Sequence, residues 1–271
     1  MNVIKIVEEE VNFEGNTRLN ELEYLRFHKN RFRHFLSFLE KFETNFTDKK
    51  KIRVLEIGSH YLHTSVLLAS KGYQVDCMDV KEFWDMDFVQ ERAKKYGLNA
   101  IVQNDLSGLL ANPDQEDTYD LIVFTEIMEH ITFNPIAFWK NLYKMLALGG
   151  VIYISTPNAF ALPNYVRNLK NIFLLKSIGI TVDDIMSKVT YGHHWKEYSA
   201  GEVRQYFKAM SDDFEITINP YSYKDYDLKS PFLMFKLLSK LGNLTHTFAD
   251  ELQVIVRLDK KTAWKLETPA Y

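Results

Sequence analysis

From residue 51 onward, short β-branched apolar runs alternate with helical segments. IRVLEIGS is followed by SVLLASKG, YQVDCMDV by VQERAKKYG, NAIVQND and YDLIVFTE by PIAFWKNLYKMLALGG, and VIYISTPN closes the series. Strands separated by helices are joined by crossovers rather than hairpins, and crossovers place helices on both faces of a mostly parallel sheet. An α/β fold is therefore expected. A length of 271 residues suits one large domain with appendages, not two full domains.

The rest of the chain is read as additions to that sheet. Leu22, Leu25, Phe32, Phe35, Leu36 and Leu39 recur at spacings of three, four and seven, which predicts one amphipathic helix over residues 17–42. Arg26, Lys29, Arg31 and Arg33 are expected on its solvated face. After Asn158, helices are expected around YVRNLKNIFLLKSIG, VDDIMSKV and GEVRQYFKAM, with strands at FEITINP and ELQVIVRLD. The expected division is a helical extension at 1–50, the sheet domain at 51–260 with insertions at about 160–198 and 221–250, and a tail at 261–271.

Composition excludes several classes of function. Thirty-three basic against 36 acidic residues give a net charge of −3, with no cationic excess for general nucleic-acid binding. Cys77 is the only cysteine, so neither an intramolecular disulfide nor a cysteine zinc cluster can form, and a reducing compartment is expected. MNVIKIVEEEVNFEG lacks the apolar core of a signal peptide, and no apolar run approaches about 18 residues, so the expected location is cytoplasmic, without a transmembrane segment.

In open α/β sheets, ligands bind beyond the carboxyl ends of the strands, where strand order reverses. Glu56, Gly58, Asp79, Asp105, Glu126, Glu129 and His130 fall at or just past such ends. Asp79 follows Gly58 by 21 residues, about the spacing at which a carboxylate meets ribose hydroxyls, and this points to a nucleoside cofactor. A dinucleotide would need three glycines in G-x-G-x-x-G, whereas Gly58 is followed by Ser59, His60, Tyr61, Leu62 and His63. NAD and FAD are thereby disfavoured.

VLEIGS, Asp79, Asn104-Asp105, YDLIVFTEIMEHI and KMLALGGVIYISTPN occur in the order and spacing of the class I S-adenosylmethionine-dependent methyltransferases, which the chain resembles over roughly residues 50–220. The resemblance implies a Rossmann-like seven-stranded sheet and S-adenosylmethionine as cofactor. It also implies a cofactor site of Glu56, Gly58, Ser59, His60, Asp79, Asn104, Asp105, Leu106 and Thr125. Glu56 and Gly58 would line the methionine end, Asp79 would hold the ribose, and Asp105 would accept from the adenine amino group. The departure from the pattern lies at His60 and Leu62, where the usual G-x-G-x-G carries glycine.

Glu126-Ile127-Met128-Glu129-His130 is similar to the ExxEH motif of ubiquinone-pathway and small-RNA methyltransferases, which hold a divalent cation there. If a helix begins here, Glu126, Glu129 and His130 share a face. With His193 or His194 downstream, that resemblance implies Glu126, Glu129, His130 and His194 as ligands for Mg2+ or Mn2+. The competing reading makes His130 a general base or a structural residue. YGHHWKEYS resembles the segment that leads into the penultimate helix of small-molecule methyltransferases, with His194 and Tyr198 on the substrate side. Ser199 and Glu202 there form a capping box. The catalytic candidates are His130, His194, Glu126 and Tyr198; His28, His34, His63 and, apart from the cofactor resemblance, His60 are expected in surface or packing roles.

The expected reaction moves a methyl group to a hydroxyl of a small molecule, with an amine as the lesser alternative. YLRFHKNRFRHFL before VLEIGS is similar to glycan-cluster methyltransferases, making a sugar, nucleotide-sugar or glycan precursor the first acceptor class. A quinone or lipid acceptor stays open, as does an inactive binding module. PFLMFKLLSKLGNL leaves peripheral membrane contact or a homodimer open. Aromatic residues make up 14% of the chain. Phe160, Tyr165, Phe173, Tyr191, Trp195, Tyr198, Tyr221, Tyr223, Tyr226, Phe232 and Phe235 lie in or beside the additions, and an aromatic substrate lid is expected from them.

Overall fold

Each apolar run of the first half becomes a strand: β1 (Arg53–Ile57), β2 (Gln74–Asp79), β3 (Asn99–Val102), β4 (Tyr119–Thr125) and β5 (Leu146–Pro157). With β6 (Phe214–Tyr221) and β7 (Glu251–Leu258) they form one seven-stranded sheet in the order β3-β2-β1-β4-β5-β7-β6. β1 to β5 pair in parallel, and β7 runs antiparallel to both its neighbours. Strand order reverses between β1 and β4, which locates the expected ligand crevice. The structure, a computed structural model, describes residues 19–109, 115–176, 179–187, 192–222 and 233–269, together with 5, 6 and 9. The reading of MNVIKIVEEEVNFEG falls almost wholly outside these residues, as do Tyr191, Tyr223, Tyr226 and Phe232.

Successive residues of the central strands feed two separate cores, because strand side chains alternate between faces. Val54, Val75, Cys77, Leu121 and Val123 enter one, beneath Phe32, Phe35, Phe38, Leu39 and Phe42. Leu55, Ile57, Met78, Ile122 and Phe124 enter the other, beneath Phe138, Trp139, Leu142 and Phe207. Both faces are covered, which explains the near-continuous apolar runs.

The helices are α1 (Leu19–Phe27), α2 (Lys29–Phe42), α3 (His63–Ser70), α4 (Lys81–Trp84), α5 (Asp87–Tyr96), α6 (Ile136–Met145), α7 (Leu162–Phe173), α8 (Val182–Ser187), α9 (Ala200–Met210) and α10 (Leu233–Leu244). Ser199 and Glu202 form the expected capping box at the start of α9. Residues of the tail pack back: Thr262 donates from its backbone and its hydroxyl to Asp213 (2.7 and 2.6 Å), and Trp264 lies against Tyr143.

Four expectations are corrected. The single helix at 17–42 is two, broken at His28, whose ring packs on Tyr24 with centroids 4.1 Å apart. Arg31 is not on a solvated face but buried, donating to the Tyr24 hydroxyl at 2.9 Å, because the break turns it toward the sheet. Leu146–Gly150 continues a strand rather than a helix, with Gly149 in the left-handed region at φ +80°. The aromatic excess is not chiefly a lid: Phe35 and Phe38 pack on Tyr153 in one core, and Phe124, Phe138, Trp139 and Phe207 in the other. Among the expected lid rings, Phe160, Tyr165, Phe173 and Trp195 are exposed.

Candidate active site

At the end of β1 the chain turns on Gly58, whose φ of +75° an L side chain rarely adopts. A Cβ there would lie 2.2 Å from Ile127 Cδ1. The N–H groups of Gly58 and Ser59 both donate to the Met78 carbonyl, at 2.9 and 3.2 Å. His60 and Leu62 follow at φ +46° and +64° without being glycines. Residues held in that region cost about 1–3 kcal/mol each, so surrounding contacts must impose the shape. Asp79 supplies one, accepting the His60 N–H at 2.6 Å and the Val80 N–H at 2.7 Å. Burial pushes the Asp79 carboxyl up, outweighing these two hydrogen bonds.

The loop closes one wall of a cavity of about 370 Å³, large enough for a nucleoside. Gly58, His60, Asp79, Phe83, Asn104, Asp105 and Leu106 line it, and Ile127, His130 and Phe133 continue it toward β4. Asp105 is exposed and its carboxylate turns to the Ser107 N–H and hydroxyl, both at 2.8 Å, capping the short 3-10 turn Leu106–Gly108. Burial, followed by the charges of His63 and Arg31, holds His60 down to about 4, so its ring is neutral. A smaller cavity of about 40 Å³ adjoins beneath α1 and α2, bounded by Tyr24, Arg31, Glu56, Ser59 and Thr125. Burial raises Glu56 to about 8 despite hydrogen bonds from Ser65 and Thr64. The buried Ser59 hydroxyl and Arg31 Nη1 have no hydrogen-bond partner among the described residues. The two cavities together offer a slot with a ribose acceptor and an unsatisfied polar end with a cation. That shape suits a nucleoside carrying an amino-acid tail.

The carboxyl ends of β4 and β5 carry a second cluster. Glu126 has φ +55° and its N–H donates to the Ser155 carbonyl at 2.9 Å, so it is not helical; Met128–His130 is a single 3-10 turn. The expectation that Glu126, Glu129 and His130 share a helix face is therefore corrected. Glu126 accepts from the Ser155 hydroxyl at 3.0 Å and lies 3.8 Å from Arg31 Nη1. Burial raises Glu126, but a hydrogen bond from Glu251 and the Arg31 charge outweigh it and hold it low. Burial and the Glu126 charge push Glu251 well up, so of that pair Glu251 is the more readily protonated. Glu129 is buried, accepts from the Thr156 hydroxyl at 3.0 Å, and is likewise pushed up by burial and by Glu126.

His130 Nδ1 lies 2.8 Å from the His193 carbonyl, which can only accept. The proton therefore sits on Nδ1, and Nε2 carries the lone pair. Burial, followed by the nearby His194, keeps His130 below 6.5. The His194 ring stands 5.0 Å away, and ligand atoms of Glu129, His130 and His194 lie within 4.8 Å of one another. His193 is buried and contributes its carbonyl, so of the two downstream histidines His194 joins the trio.

Of the cofactor candidates, Gly58, His60, Asp79, Asn104, Asp105 and Leu106 line the larger cavity, and Glu56, Ser59 and Thr125 the smaller. Asn104 also accepts the Lys81 N–H at 2.8 Å. Of the four expected metal ligands, Glu129, His130 and His194 come together, and Glu126 bonds Ser155 and lies near Arg31. Tyr198 packs its ring on Tyr206 and bridges Asn158 through its backbone. Arg31 and Glu251 are not legible in the sequence as site residues, since one reaches the cluster from the amino-terminal addition and the other from β7; Tyr221, expected among the lid rings, is buried. Only the spacing of Arg31 within the apolar stripe signals it, one residue before Phe32.

The sequence matches the methyltransferase domain family over residues 24–211. It is 27% identical to a ubiquinone biosynthesis O-methyltransferase of Rickettsia prowazekii over 120 residues, 44% of this chain and 46% of the relative. A Rickettsia conorii counterpart is 27% identical over 47% of this chain and 43% of its own length, so the match spans about half of these curated relatives. Among solved structures, an S-adenosylmethionine-dependent methyltransferase from Mesorhizobium loti superposes with TM-score 0.52 at 14% identity, covering 80% of this chain and 96% of that one. The plantazolicin methyltransferase in complex with SAH superposes with TM-score 0.52 at 16% identity, covering 95% of both chains. These last two likenesses are of fold. Sheet order, motif placement and family match agree: the chain has the doubly wound methyltransferase sheet and belongs to the methyltransferase domain family.

Proposed function

We propose that the chain methylates a hydroxyl of a small molecule, with His130 as the base. The observation that carries this reading is the position of His130 on the wall of the larger cavity, its Nδ1–H committed to the His193 carbonyl. Bound S-adenosylmethionine supplies an electrophilic methyl group on a sulfonium. The chain's own residues then align the partners and accept one proton. Asp79 holds the ribose, Arg31 and Ser59 receive the methionine end, and His130 Nε2 takes the hydroxyl proton as the acceptor oxygen takes the methyl. Because residues 19–42 supply Arg31, the amino-terminal extension belongs to the catalytic unit in this reading.

For the acceptor, the names of the curated relatives favour a phenolic hydroxyl of the quinone-precursor type. The sugar alternative rests on YLRFHKNRFRHFL, and the burial of Arg31 over Glu56 and Ser59 gives that segment a cofactor-side task instead. Exposed Leu169, Ile172 and Phe173 on α7, with Leu237 and Leu241 on α10, support a peripheral contact, although no described helix is long and apolar enough to cross a membrane. Glu129, His130 and His194 suit a divalent cation by donor type, and the buried Glu129 Oε1 has no hydrogen-bond partner among the described residues. With Glu126 outside the trio, two imidazoles and one carboxylate fit Mn2+ better than Mg2+.

The test is transfer of labelled methyl from S-adenosylmethionine to a catechol and to nucleotide sugars, with and without Mn2+. Turnover on the catechol is expected. Transfer to the sugars alone would restore the other acceptor class. A folded protein that binds no S-adenosylhomocysteine would instead be an inactive binding module.

A further inference from the structure

One buried charged knot joins the amino-terminal extension to the cofactor loop. Glu21 on α1 accepts from Arg92 of α5 at 2.6 Å and bonds the Nε2 of His63, the first residue of α3, at 2.8 Å. The same Arg92 nitrogen donates to the Tyr61 carbonyl at 2.6 Å. Glu21, His63 and Arg92 are all almost wholly buried. Their bonds thus grip the loop on both sides of Leu62, through the Tyr61 backbone and the His63 ring. Between and beside those grips stand His60 and Leu62, the loop's two left-handed residues that are not glycines. Tyr24, three residues further along α1, adds its ring 5.5 Å from that of His60 and 5.9 Å from that of His63.

A glycine would adopt these backbone angles without steric penalty, and the usual pattern has glycine at both positions. Here the shape has to be imposed from outside, and the knot is placed to impose it. We propose that Glu21 is a positioning residue for cofactor binding: through Arg92 and His63 it holds residues 59–63 in the shape that receives S-adenosylmethionine. Glu21 lines neither of the two cavities, so it acts through its partners. The arrangement also makes the extension and the loop interdependent, since α1 docks by the same bonds that shape the loop. Burial favours a neutral Glu21, but hydrogen bonds with His63 and Arg92 overcome it and hold the carboxyl at about 2, so Glu21 stays ionised near neutral pH. The inference rests on the cofactor assignment above.

The test is a double-mutant cycle on S-adenosylhomocysteine affinity, measured by calorimetry on the full chain, with thermal midpoints recorded for every variant. Glu21→Gln is expected to weaken binding about tenfold in the parent. In a His60→Gly background, where glycine takes the left-handed angle unaided, the same substitution is expected to weaken it threefold at most. An equal loss in both backgrounds would mark Glu21 as general scaffolding and overturn the proposal, as would no loss in the parent. If Glu21→Gln does not fold, Arg92→Lys goes through the same cycle: a loss confined to the parent background supports the proposal, and an equal loss in both overturns it. Absence of binding by the parent chain would sink the cofactor assignment itself, whereas parent binding without coupling sinks only the role of Glu21.

Discussion

The two halves of the crevice are built on different principles. Around Gly58 and Asp79 the polar work is done largely by backbone N–H groups and one carboxylate, facing an open cavity of about 370 Å³. Around Glu126 it is done by side chains: a half-buried Glu126, the buried carboxyls of Glu129 and Glu251, the buried Arg31, and the hydroxyls of Ser155 and Thr156. The first half is a receptacle whose shape is set by short contiguous motifs. The second is a proton-sharing cluster whose charge state depends on residues from α2, β5 and β7 at once. An error in one half should therefore appear as lost binding, and in the other as lost turnover or altered pH dependence.

The sharpest separation is expected at His130. His130→Gln should lower kcat on the methyl acceptor about 10²–10⁴-fold while S-adenosylhomocysteine affinity changes little, the range for losing a positioned base. A parallel fall in affinity would show that the two halves are not separable there. Asp79→Asn should do the reverse, weakening S-adenosylhomocysteine about tenfold or more by calorimetry, because a charged acceptor for ribose hydroxyls is lost.

Arg31 sits between the halves, 3.8 Å from Glu126 and on the wall of the small cavity with Ser59. Arg31→Met should damage both readouts, and should destabilise the fold by on the order of 3 kcal/mol in denaturant titration, since removing one partner leaves buried charge uncompensated.

The acceptor half should also respond to proton concentration. Burial and the Glu126 charge raise Glu251, so the folded protein binds a proton there that the unfolded chain releases above its ordinary carboxylate range. The associated stability is fully present below the unfolded value and is lost as pH rises through the folded one. Glu251→Gln should therefore narrow the gap between thermal midpoints measured at pH 5.5 and pH 8.5. An unchanged gap would place the proton elsewhere in the cluster.

The same contrast explains what can be read before folding. Gly58, Asp79, Asn104 and Asp105 follow strands, and the strands announce themselves by their apolar runs, so both the sheet and the lining of the larger cavity are legible. Glu126 is legible as a residue at the end of β4, but its left-handed backbone, φ +55°, is not, since no local signal announces it. Arg31 resembles one solvated cation among four until the break at His28 turns it inward. Glu251 reads as the polar start of an ordinary strand; only its register opposite Pro157 and Tyr221 brings it to Glu126. The knot of Glu21, His63 and Arg92 joins residues up to 71 positions apart, a distance at which periodicity carries no information.

The reversed β7 has a wider consequence. Since β6 runs with β5 and β7 returns against both, the connection after Tyr221 leaves from the same edge of the sheet as the loops after β4 and β5. Chain added after β6 is therefore anchored on the edge where β4 and β5 end, with β7, β5 and β4 standing between it and β1.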